Sequence, residues 1–305
     1  MHPPHPPETG SVFAGSIPQF YAQYLVPLIF EPYAVDLACR VTRRQPASIL
    51  EIAAGTGVVT RQLAHTLPPE VSIVATDLSQ PMLDQAAAAG TVRPVEWCQA
   101  DAQQLPFLDE AFDMVACQFG VMFFPDKVRA FAEARRVLRP HGQFIFSVWD
   151  RIEENELTAT ILQAVRPLLP DDHPPFMTRI PHGYCIPAVI LEDLGRAGFT
   201  QIPSVTTLTA RSRADSPLVP AVAFCQGTPM RGELEARGPA CPQEATDLAT
   251  AALAARFGQG VVEGKLQALV VSVDREGRAS RGRHVRQAGW AAYPRAVGKG
   301  KKEHA

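Results

Sequence analysis

The order of segments in this 305-residue chain predicts an α/β fold: a doubly wound, seven-stranded, mostly parallel sheet with an antiparallel edge strand and a helical N-terminal lid. Three observations carry the prediction. Short apolar runs alternate with amphipathic helical runs between residues 47 and 150. The first apolar run ends in a glycine turn, Glu51-Ile52-Ala53-Ala54-Gly55-Thr56-Gly57. Two further strand-like runs, 202–210 and 266–273, come late enough to close the sheet from its far side.

Taken in order, residues 1–17 are Pro-rich and are expected to be disordered. Residues 18–44 read as helical, with Phe20, Tyr24, Leu28, Val35, Leu37 and Ala38 at mixed three- and four-residue steps. Pro27 and Pro32 are expected to split that run into two helices. Strands follow at 47–52, 71–76, 95–98, 112–118 and 143–148, with helices at 58–66, 79–89 and 127–138 between them. Arg139-Pro140-His141-Gly142 reads as a helix stop. Beyond Asp150 come a helix at 152–168, a Pro-rich loop at 169–187, a helix at 188–197 and two helical segments within 214–265. One domain over 18–274 is expected, with a cofactor core at 47–150 and substrate-side material at 151–274. Residues 275–305 lack apolar periodicity and are expected to form a basic, flexible tail.

Composition narrows the class. Hydrophobic residues make up 46% of the chain and charged residues 20%, as in globular proteins. Residues 275–305 hold nine Lys/Arg against Glu276 and Glu303, which leaves a net −9 on residues 1–274. An acidic body argues against nucleic acid as a partner, because phosphate contacts need clustered Lys/Arg. The six cysteines show no CxxC spacing and no histidine cluster, so neither a metal site nor a disulfide framework is expected. The start of the chain lacks the features of a signal peptide, and no apolar run reaches membrane-spanning length. The expected location is the cytoplasm, away from membranes.

The chemistry concentrates at strand ends. Gly55 and Gly57 lie between a strand and a helix, where glycine permits unusual backbone angles and close ligand approach. A dinucleotide turn wants a third glycine where Thr60 stands, and Glu51 would repel a pyrophosphate. The same carboxylate favours a cationic ligand. Asp77 ends the second strand, where a carboxylate can accept both hydroxyls of a ribose, and it can also cap the helix beginning near Ser79. Asp101 follows the third strand, where it can accept from an adenine amino group or remain a loop acid.

Glu51–Thr60, Asp77-Leu78-Ser79, Gln99-Ala100-Asp101-Ala102 and Phe112-Asp113-Met114-Val115 resemble the ordered motifs of class I methyltransferases, most closely the type 11 group. Val137–Gly142 resembles that group's post-helix turn, with His141 where glycine is commoner. The resemblance covers roughly 47–150 and implies a Rossmann-like sheet binding S-adenosyl-L-methionine, with S-adenosyl-L-homocysteine as product. It further implies that Glu51, Ala53, Gly55 and Gly57 meet the methionine part and that Asp77 and Leu78 flank the ribose. Asp101 and Ala102 would then hold the adenine, and Gln118 would lie under the cofactor. Ala53 replaces the family's usual first glycine.

The expected activity is methyl transfer to a small molecule by in-line displacement. This chemistry needs positioning more than a fixed catalytic set, so no catalytic residue is assigned. Apolar residues of the later half (Ile161, Leu168, Phe176, Ile186, Phe224) suggest an apolar acceptor. Tyr21 and Tyr24 suit a lid or plain helix packing; Phe123 and Phe124 read as core ahead of substrate contact; His182 and Tyr184 read as surface loop residues ahead of facing the substrate. Two other classes stay open: an NAD(P)-dependent oxidoreductase and a non-catalytic cofactor-binding protein on the same fold. Oligomeric state has no sequence signal.

Overall fold

The computed structural model describes residues 17–277 apart from Asp171, with only the backbone for Ile17 and Pro18. Its centre is a seven-stranded sheet in the order β3-β2-β1-β4-β5-β7-β6. The strands are β1 (Ser48–Ile52), β2 (Ser72–Asp77), β3 (Glu96–Gln99), β4 (Phe112–Gln118), β5 (Leu138–Trp149), β6 (Ser204–Ala214) and β7 (Val262–Asp274). β1 to β5 pair in parallel, while β7 runs antiparallel to both β5 and β6. The antiparallel strand is thus second from the edge, and β6 closes the sheet.

Burial follows from this order. Every residue of β1 is buried, as expected of a central strand covered on both faces. Leu50 and Ile52 face one apolar layer and Ile49 the other, the period of two that a strand imposes. Glu51 shares the face of Ile49, which is covered by α2 (Glu31–Arg43) and α3 (Val58–Thr66). α5 (Lys127–Val137) and α8 (Pro187–Arg196) pack together on the opposite face.

The N-terminal run departs from expectation. Neither proline breaks it: α1 (Ile17–Phe20) passes into a π-helical segment, Tyr21–Phe30, and then directly into α2. Pro27 sits inside the π segment, where backbone bonds reach one residue further, as in Glu31 N–H to Val26 O. Pro32 lies in the first turn of α2, where a missing N–H costs little. The π segment packs on α9 (Leu218–Gly227), α9 on α11 (Cys241–Phe257), and α11 on α6 (Glu156–Val165).

Other boundaries shift. The 139–142 stop is part of β5, which starts at Leu138 beside a register irregularity opposite Phe112 and Met114. His141 takes a left-handed φ of 67°, which accounts for glycine being the usual residue there. Residues 152–168 divide into two 3₁₀ turns around α6, and the 169–187 loop contains a short helix, α7 (Phe176–Arg179). Residues 214–265 hold three helices, since α10 (Met230–Glu235) separates α9 from α11. Arg275 is tied to the body rather than to a tail: its N–H reaches Gly142 O and its guanidinium reaches Glu110. Residues 1–16 and 278–305, including most of both predicted termini, lie outside the described residues.

Candidate functional site

The strand order reverses between β1 and β4, so the loops at their C-terminal ends diverge and leave a crevice. A cavity of about 800 Å³ empty volume opens there. Its walls include Ala53, Gly55, Asp77, Leu78, Asp101, Ala102 and Gln118, seven of the nine residues predicted from sequence. Glu51 and Gly57 are not among its walls.

The turn explains that split. Ala53, Gly55 and Gly57 all take left-handed angles (φ 54°, 56° and 78°). A Cβ on Gly55 meets nothing within 4 Å, so this glycine keeps the cavity wall open. A Cβ on Gly57 would instead come within 3.0 Å of the Trp97 ring and 3.1 Å of Ala86. Gly57 therefore serves close packing of the turn against β3 and α4 (Gln80–Ala89), not ligand approach. Glu51 is buried behind the turn, where Thr60 donates to it at 2.6 Å. Burial pushes its carboxyl up to about 8, a protonated state at neutral pH until a cation arrives nearby.

Asp77 organises the opposite wall. One oxygen accepts Gly55 N–H at 2.8 Å and the other accepts Ser79 N–H at 2.8 Å. An ionised carboxylate retains acceptor capacity beyond these two bonds. Burial raises its pKa, and the backbone donors oppose the rise. Asp77 thus joins β1's turn to Ser79, the N-cap residue of α4. Asp101 is steadied by Gln103, whose backbone N–H donates to it at 2.8 Å.

The cavity fits a nucleoside with a cationic appendage. Ser79 Oγ and Gln118 Oε1 are buried without hydrogen-bond partners, and both residues line it. Orphaned buried acceptors of this kind mark places where a ligand completes the bonding. The lining holds Asp77 and Asp101 but no Lys or Arg, the reverse of a pyrophosphate site. Thr60, at the third-glycine position of a dinucleotide turn, is buried with its hydroxyl committed to Glu51.

Sequence reasoning missed the other walls. Phe119, Gly120, Phe123, Phe124 and Pro125 line the cavity, so Phe123 and Phe124 are not simple core. Phe119 has a left-handed φ of 53° and stacks on Trp149 with centroids 3.8 Å apart and an interplanar angle of 7°. With Ala53, that makes two non-glycine residues in strained conformations at one cavity, a pattern typical of functional sites. Gly120 has to be glycine because a Cβ would lie 2.5 Å from Ala53 Cβ and 2.7 Å from Cys117 Sγ.

A second cavity, of about 470 Å³ empty volume, adjoins the first and shares Tyr21, Phe119 and Phe123 with it. Phe30, Trp149, Phe176 and Phe224 add four more rings. Tyr21 thus divides two cavities, and burial raises its phenol pKa, keeping it neutral. Of the five residues proposed for an apolar pocket, only Phe176 and Phe224 line this one; Ile161 is in the core and Ile186 is exposed.

His182 and Tyr184, expected on the surface, are buried. His182 Nδ1–H donates to Asp150 O at 2.7 Å, and its ring lies 6.2 Å from that of Trp149. Burial lowers its pKa to about 4. Tyr184 donates to Asp193 at 2.8 Å, under the Lys127 ammonium 5.0 Å from its ring centre. The loop is pinned because two apolar ring bodies find cover there and each polar end finds a partner, which local composition does not reveal.

The methyltransferase domain family matches residues 50–146. A ubiquinone/menaquinone biosynthesis C-methyltransferase UbiE from Hahella chejuensis is 38% identical over 106 residues, 33% of this chain and 43% of that protein. Its Bordetella avium counterpart is 36% identical over 117 residues, 37% of this chain and 45% of that one. The chain therefore spans less than half the length of these curated relatives. An S-adenosylmethionine-dependent methyltransferase from Thermotoga maritima shares the fold at 15% identity, with a TM-score of 0.50 over 87% of this chain and 99% of that one. The motif order and the acid-lined cavity agree with the family match: residues 50–146 match the methyltransferase domain family.

Proposed function

We propose that the protein transfers a methyl group from S-adenosylmethionine to a small-molecule acceptor. The observation that carries this reading is the pair of adjoining cavities, one carrying Asp77 and Asp101 and one without charged residues, which share Tyr21, Phe119 and Phe123. Bound in the first cavity, the cofactor would supply an electrophilic methyl group on a sulfonium whose leaving group is a neutral thioether.

Asp77 accepts the ribose hydroxyls with the lone pairs that Gly55 and Ser79 leave free. Asp101 and Ala102 take the adenine, and Gln118 Oε1 and Ser79 Oγ gain the partners they lack. Glu51, one layer behind the turn, adds negative potential near the cationic end once it ionises. The second cavity excludes water and sets the acceptor's approach. Its lining holds no Asp, Glu, His or Lys, so positioning rather than proton transfer is the chain's contribution.

The matched relatives' quinone-pathway substrates are not carried over. Of the second cavity's lining residues, only Phe119 and Phe123 fall within the matched 50–146. Six described cysteines without disulfides support a cytoplasmic setting; no described helix is long and apolar enough to cross a membrane.

Calorimetric titration with S-adenosylhomocysteine and with NAD tests the cofactor assignment. Saturable binding of S-adenosylhomocysteine alone is expected; tight NAD binding without it would overturn the reading. Incubation with methyl-labelled S-adenosylmethionine and candidate acceptors then separates an enzyme from a binding protein.

A further inference from the structure

We infer that the second cavity is the acceptor site and that it takes a flat, uncharged aromatic molecule. This inference rests on the methyltransferase reading above and adds the chemical class of the acceptor.

Charge comes first. None of the fourteen lining residues is Asp, Glu, Lys, Arg or His. The only side-chain hydroxyls in the lining are those of Tyr21 and Thr228, and the Thr228 hydroxyl donates to Phe224 O at 2.6 Å. A carboxylate or an ammonium placed here would lose its hydration with nothing to replace it. The nearest buried histidine, His182, is held neutral and turned to Asp150 O through Nδ1.

Shape comes second. Seven of the fourteen lining residues carry aromatic rings. Four of these spend one face on each other: Phe119 stacks on Trp149 at 3.8 Å, and Tyr21 stacks on Phe30 at 5.1 Å. A cage for a diffuse cation needs several ring faces turned to one point. Paired rings instead leave edges and single faces, which suit offset and edge-to-face packing of another ring. Trp149, Phe176 and Phe224 hold the body of the acceptor, and the shared wall at Tyr21, Phe119 and Phe123 lets only its reacting edge meet the cofactor cavity.

The test uses the full chain loaded with S-adenosylhomocysteine. Four probes are titrated by calorimetry: 2-naphthol, 2-naphthoate, phenyltrimethylammonium and 1-decanol. 2-Naphthol is expected to bind saturably and at least about tenfold more tightly than each of the others. Phe176→Ala is expected to weaken 2-naphthol several-fold while leaving S-adenosylhomocysteine binding unchanged. Equal or tighter binding of either charged probe or of 1-decanol overturns the inference, as does the absence of 2-naphthol binding. The probe ranking needs no variant, so it decides the matter even where Phe176→Ala does not fold. Failure of S-adenosylhomocysteine itself to bind strikes the methyltransferase reading instead, which keeps the two failures distinct.

Discussion

Asp77→Asn separates a ligand-binding carboxylate from a structural one. Each carboxylate oxygen of Asp77 already holds one backbone donor at 2.8 Å, Gly55 N–H on one side and Ser79 N–H on the other. The amide is nearly isosteric but turns one acceptor into a donor, which faces one of those N–H groups. One orphaned, partly buried donor costs about 1–3 kcal/mol of stability. A lost charge-assisted bond to a ribose hydroxyl costs about 1.5–3 kcal/mol of binding. At roughly 1.4 kcal/mol per tenfold, S-adenosylhomocysteine affinity falls by about ten- to a hundredfold. Asp77→Ala is the blunter change, since it strands both N–H groups and confounds folding with binding. The assay is calorimetric titration, paired with urea unfolding to show that the variant is native. A folded Asp77→Asn protein that binds within about threefold of the parent would refute the ribose assignment and leave Asp77 a purely structural tie.

Three further outcomes follow from the geometry. Gly120→Ala places a Cβ 2.5 Å from Ala53 Cβ and 2.7 Å from Cys117 Sγ, and lowers stability by about 1–3 kcal/mol. Adding Ala53→Gly removes the nearer atom and relieves the φ of 54°, so part of the loss returns in urea unfolding; strict additivity would contradict the contact. Glu51, raised to about 8 in the folded state, takes up a proton on folding. Its contribution is full below its ordinary value near 4.5 and is lost as pH rises through 8, so unliganded protein weakens over that window and Glu51→Gln does so less. Equal pH slopes in denaturant titrations of the two proteins would count against it. His182, lowered to about 4, works in the opposite sense: its contribution is full above 6.5 and is lost as pH falls through 4. His182→Gln should flatten that acid limb of a melting-temperature profile, and a limb unchanged in the variant would show that other groups cause it.

Much of the cofactor half was legible because its constraints are local. A strand buried on both faces reads as an apolar run, and a turn that needs left-handed angles reads as glycine. Gly55, Asp77 and Asp101 could be found that way, each at the end of its own strand. Gly57 and Glu51 stand outside the cavity walls. Both belong to the motif, yet Gly57 is set by the Trp97 ring and Ala86, brought in from β3 and α4. Glu51 points to the α3 face through strand parity, where Thr60 takes it.

The apolar cavity was not legible in the same way. Tyr21 comes from the π-helical run, Phe119 and Phe123 from the loop after β4, Trp149 from the end of β5, Phe176 from α7 and Phe224 from α9. No periodicity links rings that far apart in sequence, and each alone reads as core. The burial of His182 and Tyr184 was hidden for the same reason, since their partners Asp150, Trp149, Asp193 and Lys127 lie on other elements.

The sequence by itself determined the sheet, its order of strand and helix, and the methyl donor, because the glycine turn and each strand-end acid are read within a few residues of their own strand. Only the tertiary structure decided which of those residues line the cavity and which rings line the apolar cavity beside it. That second question depends on aromatic side chains converging from five separate segments, and convergence is a property of packing, not of spacing along the chain.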